Sequence, residues 1–278
     1  MNQHSVPRDG ARTGHRTDLK ADCSQCFGLC CVALPFQRSA DFPIDKAAGE
    51  ACRNLNSDYR CGIHNRLREK GFAGCTVFDC FGAGQKVSQV TFAGMSWRDD
   101  ARSSQRMFDV FGVMRQLHEM LWYLDEVLSM PAAKPLHHTA REQMESIERL
   151  TRRPAAELVE ADPGALRADV GSLLERVSEM ARAGAGGKNL RNADLAGKDL
   201  RSVDLTAANL RGAYLIGADL SAADLRLTDL LGADLRGAVL DTADLSRALF
   251  VTQPQVNAAR GNRATKLPGR LERPAHWR

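Results

Sequence analysis

The sequence predicts a multidomain α+β protein with three folded parts: a cysteine-rich metal-binding module, a small α-helical bundle and a β-helical solenoid. Three observations support this prediction. All eight cysteines of the 278-residue chain lie between Cys23 and Cys80. Apolar residues between 96 and 183 recur at helical spacing, and leucines between 190 and 245 occupy every fifth position. A chain of this length has room for two or three such units.

The composition is that of an ordinary globular protein, with 44% hydrophobic and 26% charged residues, which excludes a wholly disordered chain. Residues 1–22 contain no apolar run of the kind found in signal peptides, and no stretch is long enough to cross a bilayer. We therefore expect a cytoplasmic protein with no membrane association. The predicted divisions are a disordered arm (1–20), the cysteine-rich module (21–92), the helical bundle (96–183), a glycine linker (184–187), a repeat (188–252), and a C-terminal cap with a basic tail (253–278).

The cysteine spacing indicates metal ligation. Cys23 and Cys26 are separated by two residues, a spacing that places two sulfurs on one ion. Disulfides would suit a secreted protein, and single buried thiols do not explain a cluster of eight. The adjacent pair Cys30 and Cys31 diverges too much to close easily on one ion, so either two ligand sets exist or one of these thiols lies outside the ligand shell. The candidate ligands are Cys23, Cys26, Cys30, Cys31, Cys52, Cys61, Cys75 and Cys80, with His64 as an alternative to one thiolate.

Zinc is the expected ion, in a structural role, because no acid, base or nucleophile set accompanies the cysteines. An iron-sulfur cluster is the alternative, and it would shift the function towards redox chemistry or metal sensing. We expect Arg60, Arg66 and Arg68 to offset part of the thiolate charge.

The segments GEACRNL, around Cys52, and RCGIH, around Cys61, resemble the cysteine-cluster family of YkgJ-type zinc- or iron-chelating domains. The resemblance covers residues 23–85. Its pattern begins with a CxxCxxCC-like run, and this chain departs from it by having three residues before the vicinal pair. The resemblance implies a metal-chelating domain.

Three helices are predicted between residues 96 and 183. The first runs from Ser96 to Met130, because SWRD has the form of a capping box and Pro131 cannot continue a helix. The second is marked by apolar residues from 136 to 150. The third extends from 163 to 180, and Asp162 caps it. Short links between the helices favour a bundle, and the heptad spacing of the first helix also permits a homodimer.

The leucine series begins at Leu190 and ends at Leu245, and Phe250 continues it. On an α-helix five residues advance about 500°, so the leucines would spread around the cylinder. A chain that turns a corner every five residues closes a square coil every twenty, and every leucine then points inward. Alanine two positions before most leucines fits a narrow interior, whereas Asp, Asn and Gly beside them favour the corners. Successive coils would pair about 4.8 Å apart.

The units ADL, ANL and GADL resemble the pentapeptide-repeat family, whose pattern is A(D/N)LXX, over residues 188–252. The resemblance implies a right-handed quadrilateral β-helix of a little over three coils. Both ends of a solenoid need caps. We expect the helical bundle to cover the front, and residues 253–278, with Trp277 as a lid, to cover the back.

The repeat shows no catalytic constellation, so the chain is expected to be non-enzymatic and to act as a protein-interaction scaffold with an unknown macromolecular partner, a protein. The alternative is an iron-sulfur redox or metal-sensing protein. Some pentapeptide-repeat proteins mimic DNA and bind DNA gyrase. Here residues 188–252 hold eight Lys/Arg against nine Asp, which lacks the strong negative charge of a DNA mimic. Residues 253–278 carry six Lys/Arg against Glu272, and we expect this tail to be solvated rather than bound to nucleic acid.

Overall fold

The computed structural model describes residues 16–277, except for the side chains of Ala101 and Arg102. Most of the predicted disordered arm therefore lies outside the described residues. Its last part differs from the prediction, because Thr17–Leu19 form a 3-10 helix and Leu19 is 1% exposed in the main core. Within the described part of the chain, no helix combines the length and the apolar character that a membrane span requires.

Residues 23–91 form short helices joined by turns. The 3-10 helices are Cys23–Gln25 and His64–Arg66. The α-helices are α1 (Leu29–Val32), α2 (Ala73–Thr76) and α3 (Ala83–Gln85), and α3 continues into a π-helix, Lys86–Thr91. Two isolated antiparallel bridges, Phe36 to Lys46 and Leu55 to Cys61, tie the loops between them. This part of the chain has few regular backbone hydrogen bonds to hold it together.

The long helices follow. They are α4 (Ala101–Ser129), α5 (His137–Thr151), α6 (Ala155–Val159) and α7 (Pro163–Arg182), with a 3-10 helix at Pro131–Leu136. Asp162 caps α7 as predicted, since its carboxylate accepts the Gly164 N–H at 2.8 Å. Ser96 and Asp99 form the predicted contact, but inside a turn that precedes α4. Helix α6 was not predicted, because five residues are too few for a periodic pattern.

The cysteine-rich segment and the helices share one core. Leu29 of α1 and Val87 of the π-helix are fully buried together with Met107, Leu117 and Leu124 of α4. Helix α4 also packs against α5, α6 and α7. A smaller cluster, centred on Cys52, Leu67 and Phe72, lies apart from this core. The two predicted modules are therefore joined by packing as well as by sequence.

Residues 189–249 form the predicted solenoid. Parallel bridges join residues one coil apart, from Asn189 with Asn209 to Asp229 with Leu249. A residue with positive φ recurs at every fifth position from Asn192 to Thr242 and turns each corner. The leucines and alanines that fill the interior from 205 to 245 are at most 3% exposed. Pairing is through single-residue bridges, and the described residues contain no extended strand.

Phe250 departs from the predicted ladder. Its φ is 58°, and its ring leaves the solenoid to face Tyr123 of α4, with ring centroids 6.1 Å apart. Val251 lies in the solenoid interior instead and is fully buried. The large aromatic ring fills the contact with α4, whereas the smaller valine suits the narrow coil.

The helices do not cover the front of the solenoid as predicted. Helix α4 packs beside the later coils, where Leu231, Leu249 and Phe250 join the helical core. At the first coil, Arg182 of α7 donates to the Ala207 carbonyl at 3.3 Å. The leucines of this coil at 190, 195 and 200 remain only half-buried.

The back of the solenoid is closed by the C-terminal segment. Helix α8 (Gln253–Ala258) begins at a capping box formed by Thr252 and Gln255. Arg260 and Lys266 then pair with the preceding coil. Trp277 is 7% exposed, and its Nε1–H donates to the Ala259 carbonyl at 3.1 Å. This tryptophan packs against the interior cluster, as the sequence predicts for a lid.

Candidate metal centre

The eight cysteines carry free thiols, and seven of them fall into two neighbourhoods. Cys26, Cys30 and Cys80 pack against the main helical core. The other group packs around Phe72 and consists of Cys31, Cys52, Cys61 and Cys75. Cys23 is exposed and lies three residues before Cys26 in the sequence. Its charge interacts with those of Cys30 and Cys31. We group it with Cys26 because of the two-residue spacing.

Helix α1 divides the vicinal pair between the two groups. Cys30 and Cys31 are consecutive residues of this helix, and consecutive side chains on an α-helix point about 100° apart. Their Sγ atoms are 3.9 Å apart, yet the first belongs to the helical core and the second to the Phe72 cluster. This geometry places Cys30 and Cys31 in different neighbourhoods.

Glycines allow the backbone to lie close to the sulfur atoms of the group that contains Cys26 and Cys80. A Cβ atom at Gly84 would lie 2.7 Å from the Cys26 Sγ and 3.7 Å from the Cys80 Sγ. Glycine therefore lets both sulfurs reach the helix that begins at Ala83. Gly82 has a φ of 80°, and a Cβ there would lie 2.0 Å from the Asp18 carbonyl oxygen. No sequence pattern connects these glycines with the cysteines.

Burial raises the pKa of most of these thiols. It raises the pKa of Cys75 to about 12 and that of Cys80 to about 11. The pKa of Cys31 is lowered, chiefly by a hydrogen bond from Cys30 and also by the charge of Lys46. Without a cation, most of the group is therefore uncharged near neutral pH, whereas a bound divalent ion stabilises thiolates.

Lys46 is the buried cation beside the second group, and sequence reasoning missed it. It is 5% exposed, and its Nζ donates to the carbonyls of Val32, Ala47 and Glu50. Its charge interacts with Cys31 and Cys52. A single lysine in a loop carries no pattern, so only the folded chain reveals this role.

The predicted arginines differ in their positions. The charge of Arg60 interacts with Cys23, and Arg66 is exposed. Arg68 hydrogen-bonds the Asn257 carbonyl of α8. His64 is exposed in its 3-10 helix. Among residues 16–277, no three His, Cys, Asp or Glu side chains are arranged closely enough to hold a metal ion. The cysteines are thus brought into two neighbourhoods without a closed ligand shell.

The arginines that directly follow an interior leucine of the solenoid differ in their exposure. Three are exposed beside an aspartate two residues earlier, in the pairs Arg201 with Asp199, Arg226 with Asp224, and Arg236 with Asp234. Arg211 differs from these three because it is only 9% exposed, with its Nε 3.3 Å from an Asp229 carboxylate that is 1% exposed. The charge of Asp229 also interacts with Glu126 of α4, so this pair lies where the solenoid meets the helices.

Comparison with protein families matches residues 189–221 and 213–250 to pentapeptide repeats, in eight copies. The uncharacterized protein YybG of Bacillus subtilis (strain 168) is 57% identical over 266 residues, which cover 94% of this chain and 95% of that protein. The similarity therefore extends through the cysteine-rich and helical parts as well as the repeat.

Solved structures are similar over about a third of the chain. A pentapeptide-repeat protein of the Arabidopsis thaliana thylakoid lumen is 32% identical, with a TM-score of 0.24, and the match covers 31% of this chain and 55% of that one. A pentapeptide-repeat protein of Nostoc PCC 7120 is 33% identical over 36% of this chain and 87% of its own length, with a TM-score of 0.20. HetL of Nostoc sp. strain PCC 7120, described as involved in regulating heterocyst differentiation, is 31% identical over 29% of this chain and 39% of its own, with a TM-score of 0.18.

Proposed function

Because this chain belongs to the pentapeptide-repeat family, we propose that its solenoid is a docking scaffold for a protein partner and that the cysteine-rich part binds two zinc ions in a structural role. The packing of seven cysteines in two separate neighbourhoods, three at the helical core and four around Phe72, supports the metal proposal. The first site would use Cys23, Cys26, Cys30 and Cys80. The second would use Cys31, Cys52, Cys61 and Cys75.

The donor sets suit zinc. Four thiolates are a common ligand set for structural zinc, and such sites leave no open position for catalysis. The second group has only a small apolar cluster around it, with Cys52, Leu67 and Phe72 as its buried residues. An ion that ties four chain segments together would supply the stability that this small cluster lacks. Lys46 would offset part of the excess thiolate charge.

Metal analysis of protein purified without oxygen tests this proposal. We expect a colourless protein with two zinc ions per chain. A brown protein that contains iron and sulfide would show that the cysteines hold iron-sulfur clusters rather than zinc. The function would then be redox chemistry or metal sensing. Protein that is free of metal and fully folded would refute both forms of the metal proposal.

Variants assign the ligands. Cys75→Ser and Cys80→Ser are each expected to lose one zinc ion, because they belong to different groups. His64→Ala is the matched control within the same segment, and we expect it to retain both ions. Loss of zinc from the His64 variant would instead place this histidine in the ligand shell. Loss of both ions from either cysteine variant would argue against two independent sites.

The scaffold proposal is supported by an exposed apolar patch on the solenoid. Tyr214 is 53% exposed and Ile216 is 37% exposed, on either side of the buried Leu215. Tyr214 is bridged to Asp194 in the coil before it and to Asp234 in the coil after it, so the backbone beneath the patch is fixed. Exposed aromatic side chains on a rigid surface are typical anchors of protein interfaces.

A photo-crosslinking residue introduced at Tyr214 in growing cells tests the docking face. We expect a discrete protein crosslink there and none from the same residue at Lys198, which is exposed elsewhere on the solenoid. Equal crosslinking at both positions, or none at either, would contradict a docking face at Tyr214.

The paired charges of the solenoid speak against DNA mimicry. Asp199, Asp224 and Asp234 each lie beside an arginine, which neutralises much of the negative field that a DNA mimic needs. We therefore expect no inhibition of supercoiling when the protein is added to a DNA gyrase assay. Inhibition at stoichiometric concentration would make gyrase the partner.

A further inference from the structure

A cavity of about 450 Å³ opens between the N-terminal segment, the π-helix, α4 and α5. Its charged and ionisable lining residues are Arg16, Asp18, Lys86, His118, Glu148 and Arg152. Cavities that bind small molecules typically occupy roughly 300–1,000 Å³. The wall also includes Val90, which is 59% exposed, and the buried Leu121. The lining of the cavity includes no cysteine and no residue of the proposed docking face.

His118 supplies a polar atom that the fold itself does not use. The side chain is 4% exposed, and its Nδ1 lies 2.8 Å from the Phe81 carbonyl oxygen. A carbonyl can only accept, so Nδ1 carries the proton and Nε2 is left as an acceptor. Burial lowers the pKa of His118 to about 4, so the ring is neutral near pH 7. Among the described residues, none hydrogen-bonds Nε2.

Among the described residues, Lys86 is the cation at the cavity that forms no ion pair, although its charge interacts at longer range with Asp18 and Glu148. Arg16 forms ion pairs with both Asp18 and Glu148. Arg152 lies 3.5 Å from Glu148. Within residues 16–277, no carboxylate lies within ion-pair distance of Lys86, although it is partly desolvated. Lys86 is the first residue of the π-helix, an unusual element that is frequent at functional sites.

We propose that this cavity binds a small organic carboxylate that also carries a hydroxyl group. The carboxylate pairs with the ammonium of Lys86, and the hydroxyl donates to Nε2 of His118. The apolar surface of Val90 and Leu121 covers the carbon chain between them. Within residues 16–277, neither the Lys86 ammonium nor Nε2 of His118 forms a hydrogen bond or an ion pair, so both are available to such a ligand.

Titration calorimetry of the full-length, metal-loaded protein with L-malate and succinate tests this proposal. The two dicarboxylates differ by one hydroxyl group. We expect malate to bind more tightly by roughly 2- to 10-fold, the effect of one hydrogen bond. No detectable binding of either compound up to about 10 mM, where even weak specific binding is measurable, would overturn the proposal.

Two variants locate the binding groups. Lys86→Gln is expected to weaken the binding of both compounds by at least about 10-fold, since an ion pair in a partly desolvated cavity is lost. Lys198→Gln, on the solenoid, is the control and should bind like the wild type. Equal affinities of the Lys86→Gln variant and the wild type would show that the carboxylate binds elsewhere.

His118→Asn removes the acceptor position. We expect this variant to bind malate and succinate equally, with succinate affinity unchanged. A retained preference for malate would contradict the role of Nε2. If His118→Asn does not fold, two measurements still test the proposal. They are the ratio of malate to succinate affinity in the wild type and the affinity of Lys86→Gln for both compounds. Zinc content is measured on the same samples, so a failure of the metal proposal is seen separately.

Discussion

The solenoid and the cysteine-rich segment are held together in different ways. In the solenoid each coil hydrogen-bonds the next, as when the Leu210 N–H donates to the Asp229 carbonyl at 2.9 Å, and the interior is filled by leucine and alanine. The cysteine-rich segment has helices of only three or four residues before its π-helix and one small cluster of its own around Phe72. Each coil of the repeat is stabilised by the same contacts with its neighbours, whereas the irregular segment depends on packing against the helical core.

Removing the proposed zinc ions should give the largest difference between the two regions. Structural zinc contributes about 10–16 kcal/mol in small zinc-binding peptides. We expect chelation under reducing conditions to expose residues 23–80 to limited proteolysis, with the fragments identified by mass spectrometry. Residues 189–249 should remain protected and serve as the internal control. If chelation leaves both regions equally protected from the protease, the cysteine-rich segment does not depend on a metal for its stability.

A leucine deletion separates the closed coils from the open first coil. Leu220→Ala should lower the free energy of unfolding by about 2–5 kcal/mol, because Leu220 is fully buried and the substitution leaves a cavity. Leu195→Ala should cost clearly less, because Leu195 is only half-buried. Urea denaturation followed by circular dichroism measures both variants. Equal costs would mean that the front of the solenoid is covered in solution.

Glu126 tests the junction between the helices and the solenoid. It is 5% exposed, forms an ion pair with Arg270, and accepts the Phe250 N–H at 2.9 Å. Burial raises its pKa from 4.5 to about 7, although Arg270 and the Phe250 N–H act in the opposite direction. The folded protein therefore holds this proton more tightly than the unfolded chain does.

The sign of the pH effect follows from that raised pKa. The stabilising contribution of Glu126 is fully present below about pH 4.5 and is lost as the pH rises to about 7, a change on the order of 3 kcal/mol. Glu126→Gln retains an acceptor for Phe250 and has no charge to titrate. Urea unfolding at pH 5 and pH 8 should therefore show the wild type losing stability relative to this variant. The opposite trend would mean that the ion pair with Arg270 outweighs burial.

The smallest effect is expected on the outer face of the solenoid. Arg226 and Asp224 form an exposed pair, and such pairs contribute little because water screens them. Arg226→Gln should leave the urea midpoint unchanged. Arg211→Gln is the contrasting variant, because it leaves the Asp229 carboxylate buried without its partner, and it should be clearly destabilised. Similar urea midpoints for the two variants would show that burial of the arginine does not determine how much its ion pair contributes to stability.

Elements with a strong local signal were predictable. The five-residue period identified the coils, and Asp162 with Pro163 marked the start of α7. The C-terminal lid was also placed correctly, because Trp277 follows a segment with no place in the repeat. In contrast, α6 was missed. Phe250 was predicted to lie in the solenoid interior, but its ring packs against α4, and periodicity within the repeat carries no information about that contact.

The candidate metal centre was only partly predictable. Spacing alone identified all eight cysteines as candidates but could not assign them to sets. Their grouping depends on α1, which separates Cys30 from Cys31, and on Gly84, which allows Cys26 and Cys80 to approach the same helix. Lys46 was missed because its contacts with the thiols join segments that carry no common motif.

The amino-acid sequence by itself determined the coil of the repeat and the concentration of thiols within residues 23–80, because both follow from spacing along a short stretch of chain. The tertiary structure decided which thiols are neighbours, which side of the solenoid faces α4, and which arginine is buried. Those outcomes depend on packing between residues far apart in the chain, where shape and burial, rather than local pattern, select the contacts that form.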